Sequence, residues 1–502
     1  MDYEGKICRP AFEKGAFKLP ISVGCSYNQC KFCCLFKYLN FKTIDDEIVF
    51  AEIDRVKNAT GKPEVCFLGD GNAFHNDTER LIKIITYLKE NIPSIKKIRM
   101  DSTITDIKNK TDDELKKLFV KGVDVLYIGI ESGLDDVLLF MNKEHRTNAA
   151  AISQIDRLHK FNIDYSAHIM AGVSGKGRNI ENAKALVKFF NETKPVSITN
   201  FTMFTSRKQK LYKDVLEGKF EAATEVESLN EVKELISGIN IETDIDSFHD
   251  YIPFRVKGHL PYDKEKLTNQ IDSMLKKLQL KKEVKLYIAV ANDKDEDNIH
   301  QNKHQNNIIN IVDRIGFDYQ IIDEVGNEDL TDKIYDKALL DDLAKRINIE
   351  SLNKYFGNEL ADACMVNSKK PQYELVVVSN VRAVVFENKI LGKAKNREEA
   401  YKMLNMLSGK KHLVVSSMCV YYNGKYHIKN EETEVFFRNL SDEEIYRYID
   451  GAKPFDKYGG YDIQDEFFDF EDNYIGTYNN VAGFPLNILI DILNELKLTM
   501  NN

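Results

Sequence analysis

A parallel α/β sheet, curved into a full or partial barrel, is the architecture that the first part of this sequence predicts. Three observations predict it. Apolar runs bounded by loops recur at "KLPISVG", "EVCFLGDG", "KIRMDST", "VDVLYIGIESG", "DYSAHIMAG" and "VSITNFTMF". Amphipathic stretches such as "TERLIKIITYLKENI" and "TDDELKKLFVKG" lie between them. Buried strands alternating with helices make parallel sheets. The third observation is where the polar and glycine residues fall. They follow the strands, on the loops where such folds place function.

The first strand runs into "GCSYNQCKFCC", which begins at Gly24 and holds Cys25, Cys30, Cys33 and Cys34. The chain has eight cysteines in all, so half of its thiols sit in one turn. Three readings compete. Structural cysteines scatter over core positions, whereas these share a turn with Ser26, Asn28, Gln29 and Lys31. A zinc site usually needs a second Cys/His pair at a recognisable spacing; the next histidine, His75, stands alone. An iron–sulfur cluster takes one thiolate per iron, so three ligands on a four-iron cube leave one iron open.

The second strand ends in "GDGN" (Gly69, Asp70, Gly71, Asn72) and the third in "DST", with Ser102. The fourth ends in "ESG", with Glu131, and the fifth carries His168. By strand register these converge on the mouth that holds the cysteines. A lone "GDG" is more often a turn, and Ser102 and His168 read equally well as polar residues without a role.

Composition narrows the classes. The chain has 502 residues, room for two or three domains. With 70 Lys+Arg against 79 Asp+Glu the net charge is −9, which gives no broad basic footprint for nucleic acid. No apolar run approaches a membrane span. The start, "MDYEGKICRP", lacks an apolar signal core, so a cytoplasmic location is expected. In a reducing compartment clustered cysteines are more often metal or redox groups than disulfides.

Residues from about 18 to 280 resemble radical S-adenosylmethionine (SAM) enzymes. The loop "GCSYNQCKFC", then "FLGDGN", "YIGIESG", "HIMAG" and "GHLPYDKEKL" match that superfamily in order and spacing. One departure is the four residues between Cys25 and Cys30, where most members have three. The resemblance implies a 4Fe–4S cluster on Cys25, Cys30 and Cys33, with Cys34 a spare thiol. It implies SAM on the open iron and an electron donor such as flavodoxin or ferredoxin. Phe32 matches the aromatic residue before the third cysteine. Gly69, Asp70 and Gly71 are expected to hold the methionine ammonium, and Glu131 resembles the acidic residue on the ribose. Ser102 and His168 complete the expected cofactor site. No second cysteine set suggests an auxiliary cluster.

The chain changes character near residue 281. "ANDKDEDNIHQNKHQNN" is polar and of low complexity; His300 and His304 sit four apart in it and read as a solvated loop. From about Lys285 onward, "ILGKAKNREEAYKMLNMLSGKKHLVVSS", "RNLSDEEIYRYI", "DKYGGYDIQ" and "GTYNNVAGFPL" resemble the Maf family. That family comprises two-lobed α/β nucleoside triphosphate pyrophosphatases. Glu324, Lys393, Asp456, Lys457 and Gln464 fall on its cleft positions, where Mg2+ or Mn2+ would accompany a nucleotide. The hydrolytic groups do not carry over. No arginine pair follows the first strand, Cys364 stands for the family's lysine, and Asn380 and Val381 stand where the catalytic aspartate belongs. Phosphoanhydride hydrolysis needs carboxylate-held metal and cationic clamps.

The expected organisation is therefore a radical SAM domain over residues 1–280 and a Maf-like domain over 285–502, with a polar insertion at 292–307. The expected function is radical modification of an unidentified substrate, with a nucleotide or RNA in view, beside a non-hydrolytic nucleotide-binding or docking domain. The alternative is a bifunctional protein whose Maf-like domain is still a pyrophosphatase.

Overall fold

The computed structural model describes residues 11–13, 15–37, 39–59, 61–205, 209–249, 251–282, 284–290, 303–323, 330–356, 374–455, 457–465, 468 and 470–500. The chain forms two compact units. One comprises Met1–Ala223, Glu227–His249 and Phe254–Ile271; the other comprises Thr224–Val226, Asp250–Pro253 and Asp272–Asn502.

In the first unit the strands are β1 (Phe17–Pro20), β2 (Ser22–Val23), β3 (Lys42–Thr43), β4 (Val65–Gly69) and β5 (Lys97–Ser102). They continue with β6 (Val123–Glu131), β7 (Asp164–Ala171), β8 (Ser197–Thr202), β9 (Thr243–His249) and β10 (Phe254–Leu260). β2 and β3 make a small antiparallel ladder beside the cysteine loop. The other eight form one sheet in the order β1-β4-β5-β6-β7-β8-β9-β10. It is parallel from β1 to β9, and β10 returns antiparallel. With helices in the crossovers this is a partial barrel.

The six apolar runs read from the sequence all form strands of this unit. β9 and β10 were not among them, because Asp244 and Asp246 in "TDIDSFH" and Arg255, Lys257 and His259 in "FRVKGHL" interrupt any apolar run. Local signals fix the helices. Asp77 accepts the amides of Glu79 and Arg80 at the start of Thr78–Asn91. Thr111 and Glu114 form a capping box on Asp112–Val120.

Strand alternation sorts the sheet into two faces. Ile98, Met100, Leu126, Ile128, Ile130, Tyr165, Ala167 and Ile169 are buried and share one parity. The opposite parity lines the concave face. Its rows read Asp101–Tyr127–Ser166–Ser197–Asp244, then Gly129–His168–Thr199–Asp246.

In the second unit the strands are β11 (Val284–Val290), β12 (Tyr319–Asp323), β13 (Glu374–Phe386), β14 (Lys389–Leu391), β15 (Lys411–Tyr422), β16 (Lys425–Phe437) and β17 (Glu471–Ile475). Their sheet runs β12-β11-β13-β15-β16-β17, with β14 on β13. Helix Lys337–Phe356 packs Leu340, Leu343, Ala344 and Ile347 against Val381, Ala383, Val385, Val415 and Cys419. Helix Lys303–Ile315 begins inside the stretch read as a polar insertion. Ile308, Ile311, Val312 and Ile315 are buried along it at helical spacing, a signal that the surrounding Asn and Gln residues mask.

Candidate functional site

Cys25, Cys30 and Cys33 lie on the loop between the first strands and the helix Asp46–Val56, each half-buried and free of disulfides. The loop is tied down at several points. Gly24 has φ +77°, and a Cβ on Gly71 would stand 1.7 Å from the Gly24 carbonyl oxygen, so loop and glycine turn touch backbone to backbone. Ser26 N donates to Asn72 Oδ1 at 2.9 Å, and Asn72 Nδ2 donates to Ser26 Oγ at 2.7 Å. Tyr27 Oη donates to the Asn142 carbonyl at 2.7 Å, and Lys31 N to that of Met141 at 2.9 Å. The Phe32 ring is buried among Val137, Met141, Val173, Met203, Leu211 and Phe220, and its carbonyl accepts from Gln209 Nε2 at 2.5 Å. Phe32 thus anchors the loop through its ring. Cys34 is also half-buried.

The thiols sense one another and two charges. Burial pushes Cys30 up to about 11; the Lys143 ammonium opposes this, while Glu131, Cys33 and Cys25 reinforce it. Burial raises Cys33 as well. Among the described residues no three Cys, His, Asp or Glu side chains close on a single metal ion. A cuboidal cluster does not require that, because each thiolate meets a different iron.

Glu131 ends β6 at φ +64°. Lys143 Nζ donates to its Oε1 at 3.0 Å, and the two side chains are 12% and 9% exposed for Glu131 and Lys143. Gly129 makes room for this pair: a Cβ there would lie 2.4 Å from Glu131 Oε1 and 2.6 Å from Lys143 Nζ. Burial opposes the charge on Lys143, but Glu131 and Cys30 raise its pKa. No motif singles out Lys143, which lies twelve residues after its partner, in a loop.

Gly69, Asp70 and Gly71 sit where β4 meets the cysteine loop. Asp70 N donates to the Ser22 carbonyl at 3.1 Å, Ser22 Oγ donates to the Asp70 carbonyl at 3.0 Å, and Lys18 Nζ lies 3.7 Å from Asp70 Oδ1. Asn72 and His75 both meet the Asp106 carboxylate at 2.6 Å. Ser102 shares its parity with Ile98 and Met100, and its hydroxyl donates to the Thr103 carbonyl at 3.1 Å, so it faces away from the concave side. Asp101 takes the concave position that the sequence assigned to Ser102. Burial and the neighbouring Asp70 push Asp101 up to about 8, with Lys18 opposing. His168 does lie on the concave face, between the rings of Tyr127 and Phe201. Burial lowers it to about 4, and its Nε2 has no hydrogen-bond partner among the described residues.

In the second unit Lys393 forms a β-bridge with Tyr458, and its ammonium lies 5.6 Å from that ring's centroid. Lys457 Nζ is 4.0 Å from Asp462 Oδ2, and Gln464 N donates to Asp462 Oδ1 at 2.9 Å. The fold therefore gathers Lys393, Lys457 and Gln464 around one loop. Glu324, Asp456, Cys364 and His300 lie outside the described residues. His304 falls within helix Lys303–Ile315. Val381 is buried in the apolar cluster against helix Lys337–Phe356, while Asn380 Nδ2 donates to the Gly483 carbonyl at 3.1 Å.

A parallel partial barrel with three thiols and a glycine turn at its mouth is a radical SAM domain. The radical SAM superfamily profile matches residues 19–190, and a profile described as Maf-like protein matches residues 310–496. A dTTP/UTP pyrophosphatase of Thermoanaerobacter sp. (strain X514) is 33% identical over 187 residues, which cover 37% of this chain and 89% of that protein. One from Pyrococcus horikoshii is 39% identical over 130 residues, covering 26% and 69%. The chain belongs to the Maf-like family through this C-terminal part and carries the radical SAM domain N-terminal to it. Among solved structures, methylornithine synthase aligns at a TM-score of 0.34 and 14% identity, covering 51% of this chain and 68% of that one. Coproporphyrinogen III oxidase from Escherichia coli aligns at 0.32 and 13%, covering 44% and 51%. Among the described residues no helix is long and apolar enough to cross a membrane.

Proposed function

We propose that this protein is a radical SAM enzyme whose Maf-like unit binds a nucleotide without hydrolysing it. The observation that carries the reading is the half-buried thiol trio packed against the Gly24–Gly71 contact, with the Glu131–Lys143 pair beside Cys30. The donor set fits a 4Fe–4S cluster: three thiols on one loop, with Cys34 the spare thiol that the resemblance implies, and a cation that offsets the cost of ionising Cys30. When bound, that cluster would supply one electron, delivered by a donor such as flavodoxin or ferredoxin, to cleave SAM to a 5′-deoxyadenosyl radical.

The chain's own residues position and shield. Cys25, Cys30 and Cys33 would hold the irons. The backbone of Gly69, Asp70 and Gly71 allows close approach of the methionine ammonium. Glu131 spends one oxygen on Lys143; its Oε2 has no partner among the described residues and is free to accept ribose hydroxyls. His168 stays neutral at pH 7, so it can line the cavity without a buried charge. Phe32, buried by its ring, keeps the loop from opening.

In the Maf-like unit, Val381 supports the loss of hydrolysis. It packs with Leu340, Leu343, Ala344 and Ile347, a setting that excludes a metal-holding carboxylate. Lys393, Lys457 and Gln464 would still hold a phosphate or a base. The test is anaerobic reconstitution with iron and sulfide, followed by SAM and a reductant. Four irons per chain and release of 5′-deoxyadenosine are expected. Zinc in place of iron, or intact SAM after reduction of a full cluster, would overturn the reading.

A further inference from the structure

The topmost row of the concave face has no role in the cofactor site. It carries Phe201 from β8 and Phe248 from β9, one step beyond the Asn200–Ser247 pair. Their rings are nearly parallel, 10° apart with centroids 5.9 Å apart, so the two side chains stack on one another. Phe201 is 37% exposed, which is unusual for an aromatic side chain on the inner side of a barrel. The Arg255 guanidinium stacks on Phe248 at 4.2 Å. Asp246, fully buried, grips Arg255 Nε and Nη2 at 2.6 and 2.5 Å, and Lys257 stands 3.6 Å away. One carboxylate thus serves two cations. The third guanidinium nitrogen, Nη1, has no partner among the described residues, and both cationic side chains keep substantial exposure at 37% and 52%.

We infer that this row is the substrate subsite and that it takes a free nucleoside monophosphate. The base lies on Phe201, where every nucleobase has a face to stack, and the phosphate meets Arg255 and Lys257. The local excess of positive charge selects an anion, and the fork clamped by Asp246 presents a fixed donor to it. Glu131 ends β6, two strands from β8, which is about 10 Å at the usual strand spacing. A ligand on the exposed Phe201 ring therefore lies within reach of a reactive group held near Glu131. This assignment rests on the radical SAM reading above and adds its substrate class.

The test is calorimetry on the anaerobically reconstituted full-length chain, with SAM, UMP, TMP and uridine as separate probes. The Lys393→Ala background removes the contribution of the second unit's lysine. UMP or TMP is expected to bind. Phe201→Leu should weaken that binding about tenfold or more and Phe201→Trp should restore it, as expected for stacking. Arg255→Gln should weaken UMP about tenfold while changing uridine far less. Equal affinity for UMP in wild type, Phe201→Leu and Arg255→Gln would overturn the subsite, as would no binding at all. A short oligoribonucleotide that binds through Phe201 without competition from UMP would also overturn it, in favour of RNA. If SAM binds normally in any of these cases, the radical SAM reading stands; if SAM does not bind to the cluster-loaded chain, that reading falls first.

Discussion

Lys143 and Glu131 form a coupled pair, and each should be harmful to lose alone. Their contact is 3.0 Å and their side chains are 9% and 12% exposed, so solvent screens little of the interaction. Removing one partner of such a buried pair leaves an uncompensated charge and costs about 3–5 kcal/mol. Removing both leaves no stranded charge and is often nearly neutral when the volume is kept. Lys143→Met should therefore destabilise the first unit by about 3 kcal/mol, which lowers its melting temperature by roughly 6–12 °C at the usual 2–4 °C per kcal/mol for domains of this size. Glu131→Gln should do less, because the amide still accepts from the ammonium. The double variant should recover most of the loss seen in Lys143→Met. The assay is thermal unfolding of the cluster-free full-length chain by far-ultraviolet circular dichroism, since the chain has no tryptophan to report by fluorescence. A double variant no more stable than Lys143→Met alone would refute the coupling.

Cys25→Ala, Cys30→Ala and Cys33→Ala should each abolish iron retention after reconstitution and gel filtration, whereas Cys34→Ala should keep it. Glu131→Ala should weaken SAM binding on the order of tenfold or more in calorimetry, the worth of a hydrogen bond to a charged group; unchanged affinity would remove Glu131 from the site. Asp101 holds its proton to about pH 8 when folded but only to about pH 3.9 when unfolded, so its contribution to stability is complete below pH 3.9 and is lost as pH rises towards 8. Asp101→Asn should flatten the fall in melting temperature over that window, by the equivalent of about 1 kcal/mol or more. The full-length chain with Mg2+ or Mn2+ should release no pyrophosphate from dTTP or UTP, since losing one such group commonly costs on the order of a hundredfold or more; turnover that disappears in Lys393→Ala would reverse the assignment of the second unit.

The barrel was legible because its helix-facing parity is apolar and its crossovers are amphipathic, which is the pattern that hydrophobic periodicity reports. The cysteine loop was legible because four thiols in one turn have few explanations. What stayed hidden depends on parity and on long-range pairing. Ser102 and Asp101 are neighbours in sequence but face opposite sides, and the bulge in the β5–β6 ladder between Ile98 and Arg99 is invisible without the partner strand. Lys143 gains meaning only when the loop after β6 folds back onto Glu131. β9 and β10 carry their charges on the concave face, so their alternation reads as a polar surface segment until the sheet curves around it.

That division of faces has an energetic logic. In a closed barrel the interior is usually packed with branched apolar side chains. Here the concave rows hold Asp101, Tyr127, Ser166, His168, Thr199 and Asp246, several of them buried. Buried polar groups cost free energy unless they find partners, and the Nε2 of His168 and the Oγ1 of Thr199 have none among the described residues. The stability of the unit must then come from the helix-facing side, where Ile98, Met100, Leu126, Ile128, Tyr165, Ala167 and Ile198 are all fully buried. A concave face that contributes so little to packing is free to vary with its ligand. A substitution on the helix-facing parity should therefore lower the melting temperature first, while one at Phe201 or Arg255 should change binding first.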